Sequence, residues 1–302
     1  MLDKKGVIVA VVVIAMSVMC CAGGSAQTNE KRKTSEFAPV IVPPLPDKIA
    51  FAGDETPLRK FYVKEGLQRE LITNEYMHSR MLMTILNSRR YFSIIEPILK
   101  RNGIPEDFKY LCATESNLDP EAVSSAGAAG LWQFMSATAK EYGLIVNKSI
   151  DERYNIEKAT EAACRYFINA YGRLGNWTLV AASYNVGING VARRLEQQRV
   201  KSYYDLVLPI ETTRYVFRIL AHKLMLSDPE TYGYCVSEDE CFVCYDKFRT
   251  VEVGDKDIDW VKVAHDNGVT YKELRLFNPW IRNLSYENKE GTKFTVKIPT
   301  IQ

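Results

Sequence analysis

The sequence predicts a mainly α protein with a small βααβ unit at its C-terminal end. Three observations carry this. Between residues 57 and 226 apolar residues recur at helical spacing, as in Tyr91, Ile94, Ile95, Ile98 and Leu99, and again in Thr160, Cys164, Phe167, Ile168 and Tyr171. Glycines punctuate these stripes: Gly103 after the first, Gly172 and Gly175 after the second, and Gly187 and Gly190 after a segment that begins near Trp177. From Thr250 the pattern changes to a short β-branched strand, two short helices and a last strand over Phe294–Ile298. A length of 302 residues suits about two domains. A hydrophobic fraction of 46% with 25% charged residues excludes a disordered chain, a collagen and a polytopic membrane protein. Lys and Arg number 39 against 37 for Asp and Glu, so no bulk charge points to nucleic acid.

The N-terminus reads as an export signal over residues 1–26. Lys4 and Lys5 precede an apolar run from Val7 to Val18, and the small residues Ala22-Gly23-Gly24-Ser25-Ala26 follow. The run is short for a membrane span, which needs about 20 residues. An uncleaved anchor, or a lipid on Cys20 or Cys21, is the alternative, and either would tie the protein to a membrane. Residues 27–56 contain Pro39, Pro43, Pro44 and Pro46 and read as a spacer.

A helical domain follows over residues 57–232. Within it, Pro105, Glu106 and Asp107 mark a helix start. Phe108, Leu111, Cys112 and Glu115 then fall on one apolar face. A carboxyl there is desolvated, which raises its pKa and suits a general acid near neutral pH. The competing reading is a helix-end glutamate paired to a base. Asn117 and Pro120 stop the helix, and the small residues from Ser124 to Gly130 let backbone approach a ligand closely. Trp132, Gln133 and Met135 beside that loop suit a sugar-binding wall, with core packing as the alternative for Trp132. Thr138 and Glu141 have the spacing of a capping box.

Residues 233–249 carry Cys235, Cys241 and Cys244 without periodicity and read as a connector; residues 250–302 form the βααβ module. That module has no carboxylate in an evident apolar pocket, so it is read as a separable binding unit. With the leader removed, Cys112, Cys164, Cys235, Cys241 and Cys244 remain, too odd a number for complete pairing. His78, His222 and His265 are scattered, and no second pair accompanies Cys241 and Cys244 at ligand spacing, so neither a metal nor another cofactor is expected.

Several stretches together resemble a known family. Glu115-Ser116, the run Gly130-Leu131-Trp132-Gln133-Phe134-Met135 and the run Ser183-Tyr184-Asn185-Val186-Gly187 resemble the signature motifs of soluble-type lytic transglycosylase domains. Asp151 to Asn155 and Leu208 to Val216 resemble stretches of the membrane-bound lytic murein transglycosylase D subgroup. The resemblance covers residues 75–226, with Ser183 and Asn155 standing where that subgroup usually has Ala and Asp. Residues 250–299 resemble a LysM module through Gly254-Asp255, Gly268-Val269-Thr270, Leu274, Asn278 and the ending from Gly291 to Pro299.

The resemblance implies a lysozyme-like helical fold, an exported monomer of the periplasm or cell envelope, and peptidoglycan glycan strands as partner. It implies cleavage of the β-1,4 bond between N-acetylmuramic acid and N-acetylglucosamine. Glu115 would serve as both acid and base, and the product end would be a 1,6-anhydro sugar. By the same resemblance Ser116, Trp132, Gln133, Met135, Tyr184, Asn185 and Glu211 would bind substrate or steer Glu115. Ordinary glycosidases use two carboxyl groups; Asp119 and Glu121 lie beyond the helix end and are unconvincing partners. A goose-type-lysozyme-like hydrolase and a catalytically silent wall-binding protein are the competing readings.

Overall fold

The computed structural model describes residues 41–300. The expected leader, Cys20, Cys21 and the first part of the proline-rich segment lie outside the described residues. From Val42 onward the chain is one compact unit.

The first ordered segment departs from a spacer. Ala50–Phe51 (β1) and Asp54–Glu55 (β2) pair as a small antiparallel hairpin. Ile49 and Phe51 are buried in the main core, and the Phe51 ring lies 5.2 Å from that of Phe108. The Ala52 N–H donates to Asp107 Oδ2 at 2.6 Å. Proline content marks the segment as non-helical, but three residues, Ile49-Ala50-Phe51, suffice to anchor it.

Eight helices build the larger part. They are Phe61–Glu75 (α1), His78–Arg101 (α2), Phe108–Ser116 (α3), Ser136–Glu141 (α4), Ile156–Leu174 (α5), Trp177–Val186 (α6), Ile188–Gln198 (α7) and Ile210–Ser227 (α8). α3 packs against α8, α1 against α8, α2 against α5, and α5 against α6. Asn155 starts α5 by accepting the Lys158 N–H at 3.0 Å, and Gly175, at φ 66°, ends it in the left-handed conformation. Asn176 then caps α6 through the Leu179 N–H at 3.0 Å. The capping box expected at Thr138 and Glu141 is absent, because Met135 precedes α4 and Thr138 lies inside it. Along α5, Thr160, Cys164 and Phe167 are buried as the stripe predicted, whereas Ile168 and Tyr171 face solvent.

The C-terminal part has two antiparallel pairs rather than one. Phe248–Val253 (β3) pairs with Phe294–Pro299 (β6), and Asp257–Asp259 (β4) pairs with Ser285–Glu287 (β5). Trp260–Asp266 (α9) and Tyr271–Phe277 (α10) lie between them in the chain. Asp259 caps α9, and Thr270 with Glu273 forms a capping box on α10.

This part is not a separate bead on a connector. Its core of Ile258, Trp260, Leu274, Trp280, Ile281, Phe294, Val296 and Ile298 also takes in Ala129, Ile150 and Tyr154 from the helical part. Ile150 and Ile281 form an isolated antiparallel bridge. The Asp151 N–H donates to the Trp280 carbonyl at 2.9 Å, and the Arg282 N–H to the Ser149 carbonyl at 2.8 Å. Arg282 also pairs with Glu121 at 3.1 Å and lies 4.1 Å from the centre of the Tyr154 ring; Lys297 pairs with Glu157. The connector packs too, since Tyr234 is buried with its hydroxyl donating to the Glu75 carbonyl at 2.8 Å. Such loop-to-loop pairing has no local period, so spacing arguments could not reveal it.

Candidate active site

Glu115 lies in the last turn of α3. Asn117 and Leu118 both adopt left-handed φ values, 52° and 55°, so the chain turns away at once. A non-glycine pair held in that region is strained, a feature that concentrates at functional sites. Phe108, Leu111 and Cys112 bury the same face of α3, which leaves the Glu115 carboxyl half-buried at the edge of the core. Desolvation pushes its pKa up to about 7, against a hydrogen bond from Tyr215 and the charge of Arg218, both of which favour the ionised form; Glu211 adds to the rise.

α8 supplies the groups that face it. The buried Tyr215 hydroxyl donates to Glu115 Oε1. Burial first, and the neighbouring carboxylate second, hold the Tyr215 pKa far above its usual value, so the phenol remains a donor at every working pH. One turn on, Arg218 donates to the Glu211 carbonyl at 3.2 Å, and its Nε is buried with no partner among the described residues. Asn185 joins α6 to α8: its Oδ1 accepts from Thr212 Oγ1 at 2.6 Å, and its Nδ2 reaches Glu211 Oε1 at 3.4 Å.

The loop from Ser124 to Met135 forms a further side. The Cys112 thiol donates to the Leu131 carbonyl at 3.5 Å, and the Tyr184 hydroxyl to the Trp132 carbonyl at 2.8 Å. Gly130, at φ 76°, passes so close to the chain at Arg153 that a methyl group there would sit 2.1 Å from the Arg153 carbonyl oxygen. The Arg153 guanidinium donates to the carbonyls of Gly127 at 2.7 Å and Phe134 at 3.1 Å, and pairs with Asp151 at 2.7 Å. Gln133, at φ 47°, folds its amide back to the carbonyls of Ala122 at 3.0 Å and Gly130 at 2.8 Å. Met135 is 45% exposed.

Two expected substrate contacts sit elsewhere. Trp132 is 0% exposed, and its indole N–H donates to Thr160 Oγ1 at 2.9 Å, so it is a core residue. Ser116 is buried and donates to the Cys112 carbonyl at 3.3 Å. Neither Tyr215 nor Arg218 is marked as a site residue by sequence alone, although Tyr215 lies within the stretch from Leu208 to Val216. Their spacing on α8 is that of any amphipathic helix, and only the packing of α8 on α3 gives them a role. Among the described residues no three His, Cys, Asp or Glu side chains cluster to hold a metal. No helix there is long and apolar enough to cross a membrane.

Removing the Tyr215 hydroxyl takes away a donor that favours the carboxylate. Tyr215→Phe should therefore move the pKa of Glu115 upward. The alkaline limb of the activity profile is expected to shift to higher pH while the rate falls about tenfold through looser orientation. An unmoved limb would show that this hydrogen bond does not tune Glu115.

Residues 92–207 match the family model described as the transglycosylase SLT domain, and residues 249–302 match the soluble lytic transglycosylase C-terminal LysM-like domain. The chain is 28% identical over 254 residues to the membrane-bound lytic murein transglycosylase D of Escherichia coli strain K12, covering 80% of this chain and 53% of that protein. It is 34% identical over 100 residues to the peptidoglycan transglycosylase gp16 of Escherichia phage T7, covering 32% of this chain and 8% of that protein. The chain thus spans about half the length of its transglycosylase D relative. A solved structure of an inactive mutant of the lytic transglycosylase Slt from Pseudomonas aeruginosa aligns with a TM-score of 0.35 at 19% identity, covering 50% of this chain and 26% of that one. The protein is mostly helical, with an SLT domain followed by a small LysM-like domain of strands and helices.

Proposed function

We propose that the protein is a peptidoglycan lytic transglycosylase that cleaves the β-1,4 bond between N-acetylmuramic acid and N-acetylglucosamine. The observation that supports this best is Glu115, a half-buried carboxyl with its pKa pushed up to about 7 beside a fixed phenol donor. Protonated, it gives its proton to the glycosidic oxygen and the bond breaks. As carboxylate it then takes the proton of the C6 hydroxyl of the same muramic acid, whose oxygen closes onto C1. The ring closure is intramolecular, so no water need be activated and no second carboxylate is required. Tyr215 orients Glu115. Arg218 steadies the carboxylate formed midway. Tyr184 and Asn185 hold the loop and α8 in place around it, with Gln133, Met135 and Glu211 lining the path of the glycan.

Glu211 keeps one alternative open to test. It is close enough to influence Glu115 and could serve as a base for water in a hydrolase. Mass spectrometry of the fragments released from sacculi separates the two. Anhydro ends support the transglycosylase, and reducing muramic acid ends would replace it with a hydrolase. The proposed setting is the cell envelope, reached through the N-terminal segment, with the chain acting as a monomer.

A further inference from the structure

A cavity of about 1030 Å³ lies apart from the site around Glu115. It opens between α2, the end of α3, the start of α5, the connector and α10. Ser116 and Asn117 reach it, but Glu115, Gln133, Met135, Tyr184, Asn185 and Glu211 do not line it. The two sites therefore back onto the same helix end from different sides.

We propose that this cavity binds a short anionic peptide. Three guanidinium groups, those of Arg80, Arg90 and Arg275, line it, and none is paired to a carboxylate among the described residues. Arg90 is held in place, donating to the Val243 carbonyl at 2.7 Å and lying 4.3 Å from the centre of the Tyr245 ring. The Arg275 Nε is buried without a partner among the described residues. Two of the three acids on the wall are ion-paired. Glu157 pairs with Lys297, Glu121 pairs with Arg282, and Asp119 accepts the Glu121 N–H at 3.0 Å. Three guanidinium forks against one acid without an ion pair, Asp119, match carboxylate geometry and favour an anionic ligand.

A second observation points to peptide rather than to a simple ion. Asn87 is 8% exposed and lines the cavity, yet its side-chain amide has no hydrogen bond to any described residue. That amide is open to the cavity, and a peptide group entering there would supply a donor and an acceptor to match it. Met83, Ile94 and Leu276 give the remaining wall an apolar surface suited to small aliphatic side chains. The volume lies at the upper end for a small-molecule site, enough for a few residues.

The biological source of such a peptide rests on the proposed function, since the substrate polymer carries short acidic peptides on its glycan. The binding itself does not. The test is calorimetric titration of the whole protein with three probes. These are acetyl-Ala-Glu-Ala-Ala with a free terminal carboxylate, its neutral analogue with glutamine and a terminal amide, and the tetramer of N-acetylglucosamine. The acidic peptide should bind at least about tenfold more tightly than the neutral one, with an affinity that falls as salt rises. Arg80→Ala, at an exposed position, and Arg275→Gln should each weaken it severalfold, with the thermal midpoint unchanged. Arg80→Ala alone decides the matter should Arg275→Gln misfold. Equal binding of both peptides, no saturable binding of the acidic one, or stronger binding of the sugar tetramer weakened by Arg80→Ala would each overturn the proposal. Because no probe needs to be cleaved, failure here is distinct from failure of the enzymatic reading.

Discussion

Glu115→Gln is expected to lower glycan cleavage by at least about 100-fold, the low end for loss of a positioned acid and base. The variant should also be more stable than the parent at alkaline pH, and the sign of that effect follows from the raised pKa. In the unfolded chain this carboxyl ionises near 4.5; in the folded protein it ionises near 7. Between those values the folded state holds the proton more tightly. Ionisation therefore erodes folding stability as pH rises through the window, and the full cost is present above it. A glutamine is neutral throughout. The variant should gain on the parent by about 1–3 kcal/mol between pH 5 and pH 8, with no such gain below pH 4.5. Denaturant titrations at the two pH values, beside turnover of sacculi, check both halves. Cleavage near the parent rate would remove Glu115 from the mechanism. A stability difference that does not change with pH would show the carboxyl to be solvated in the folded state.

The second large effect concerns the C-terminal module. Read from sequence alone, it is a separable binding unit, and its deletion would spare turnover of short soluble glycans. The packing of the module on the helical part leads to a different expected result. Deleting residues 250–302 exposes Ala129, Ile150 and Tyr154, strips the partners from Asp151 and Ser149, and leaves Glu121 and Glu157 unpaired. Asp151 holds Arg153, which in turn fastens the loop at Gly127 and Phe134 beside the candidate active site. The truncated chain should lose at least about tenfold in turnover of short glycans, because small misplacements near the reacting groups are costly. It should also melt several degrees lower. The milder variant Arg282→Ala, which removes one ion pair and one cation–ring contact, should show a smaller loss of the same kind. Unchanged turnover of short glycans by the truncated chain would restore the binding-only reading.

The parts of this architecture that were legible are those written in local periodicity. Phe108, Leu111 and Cys112 put Glu115 on an apolar face at spacings anyone can count, and the structure has that face buried. The α2 stripe from Tyr91 to Leu99 and the capping residues Asn155 and Asn176 belong to the same class of signal, since each acts within one turn or two. What stayed hidden depends on distant partners. Tyr215 meets Glu115 only because α8 packs on α3. Trp132 was expected at a sugar-binding wall because small residues precede it, yet its indole N–H finds Thr160 in the core. Ile49 and Phe51 sit among prolines that dominate the composition of their segment. Ile150 and Ile281 are single apolar residues in separate loops, and neither announces the other.

The Ile150–Ile281 bridge also bears on how the chain comes to be folded. The wall beside the candidate active site is finished by residues made more than a hundred positions after the loop they hold. The preceding helices can form from local contacts, but the loop between Gly127 and Arg153 has to wait for a partner far along the chain. Contacts of such long sequence separation are the slow ones, since closing the intervening chain comes before any gain. A nascent chain would therefore hold its helices before it holds the geometry of the candidate site, and activity would appear only once the Ile281 loop has docked.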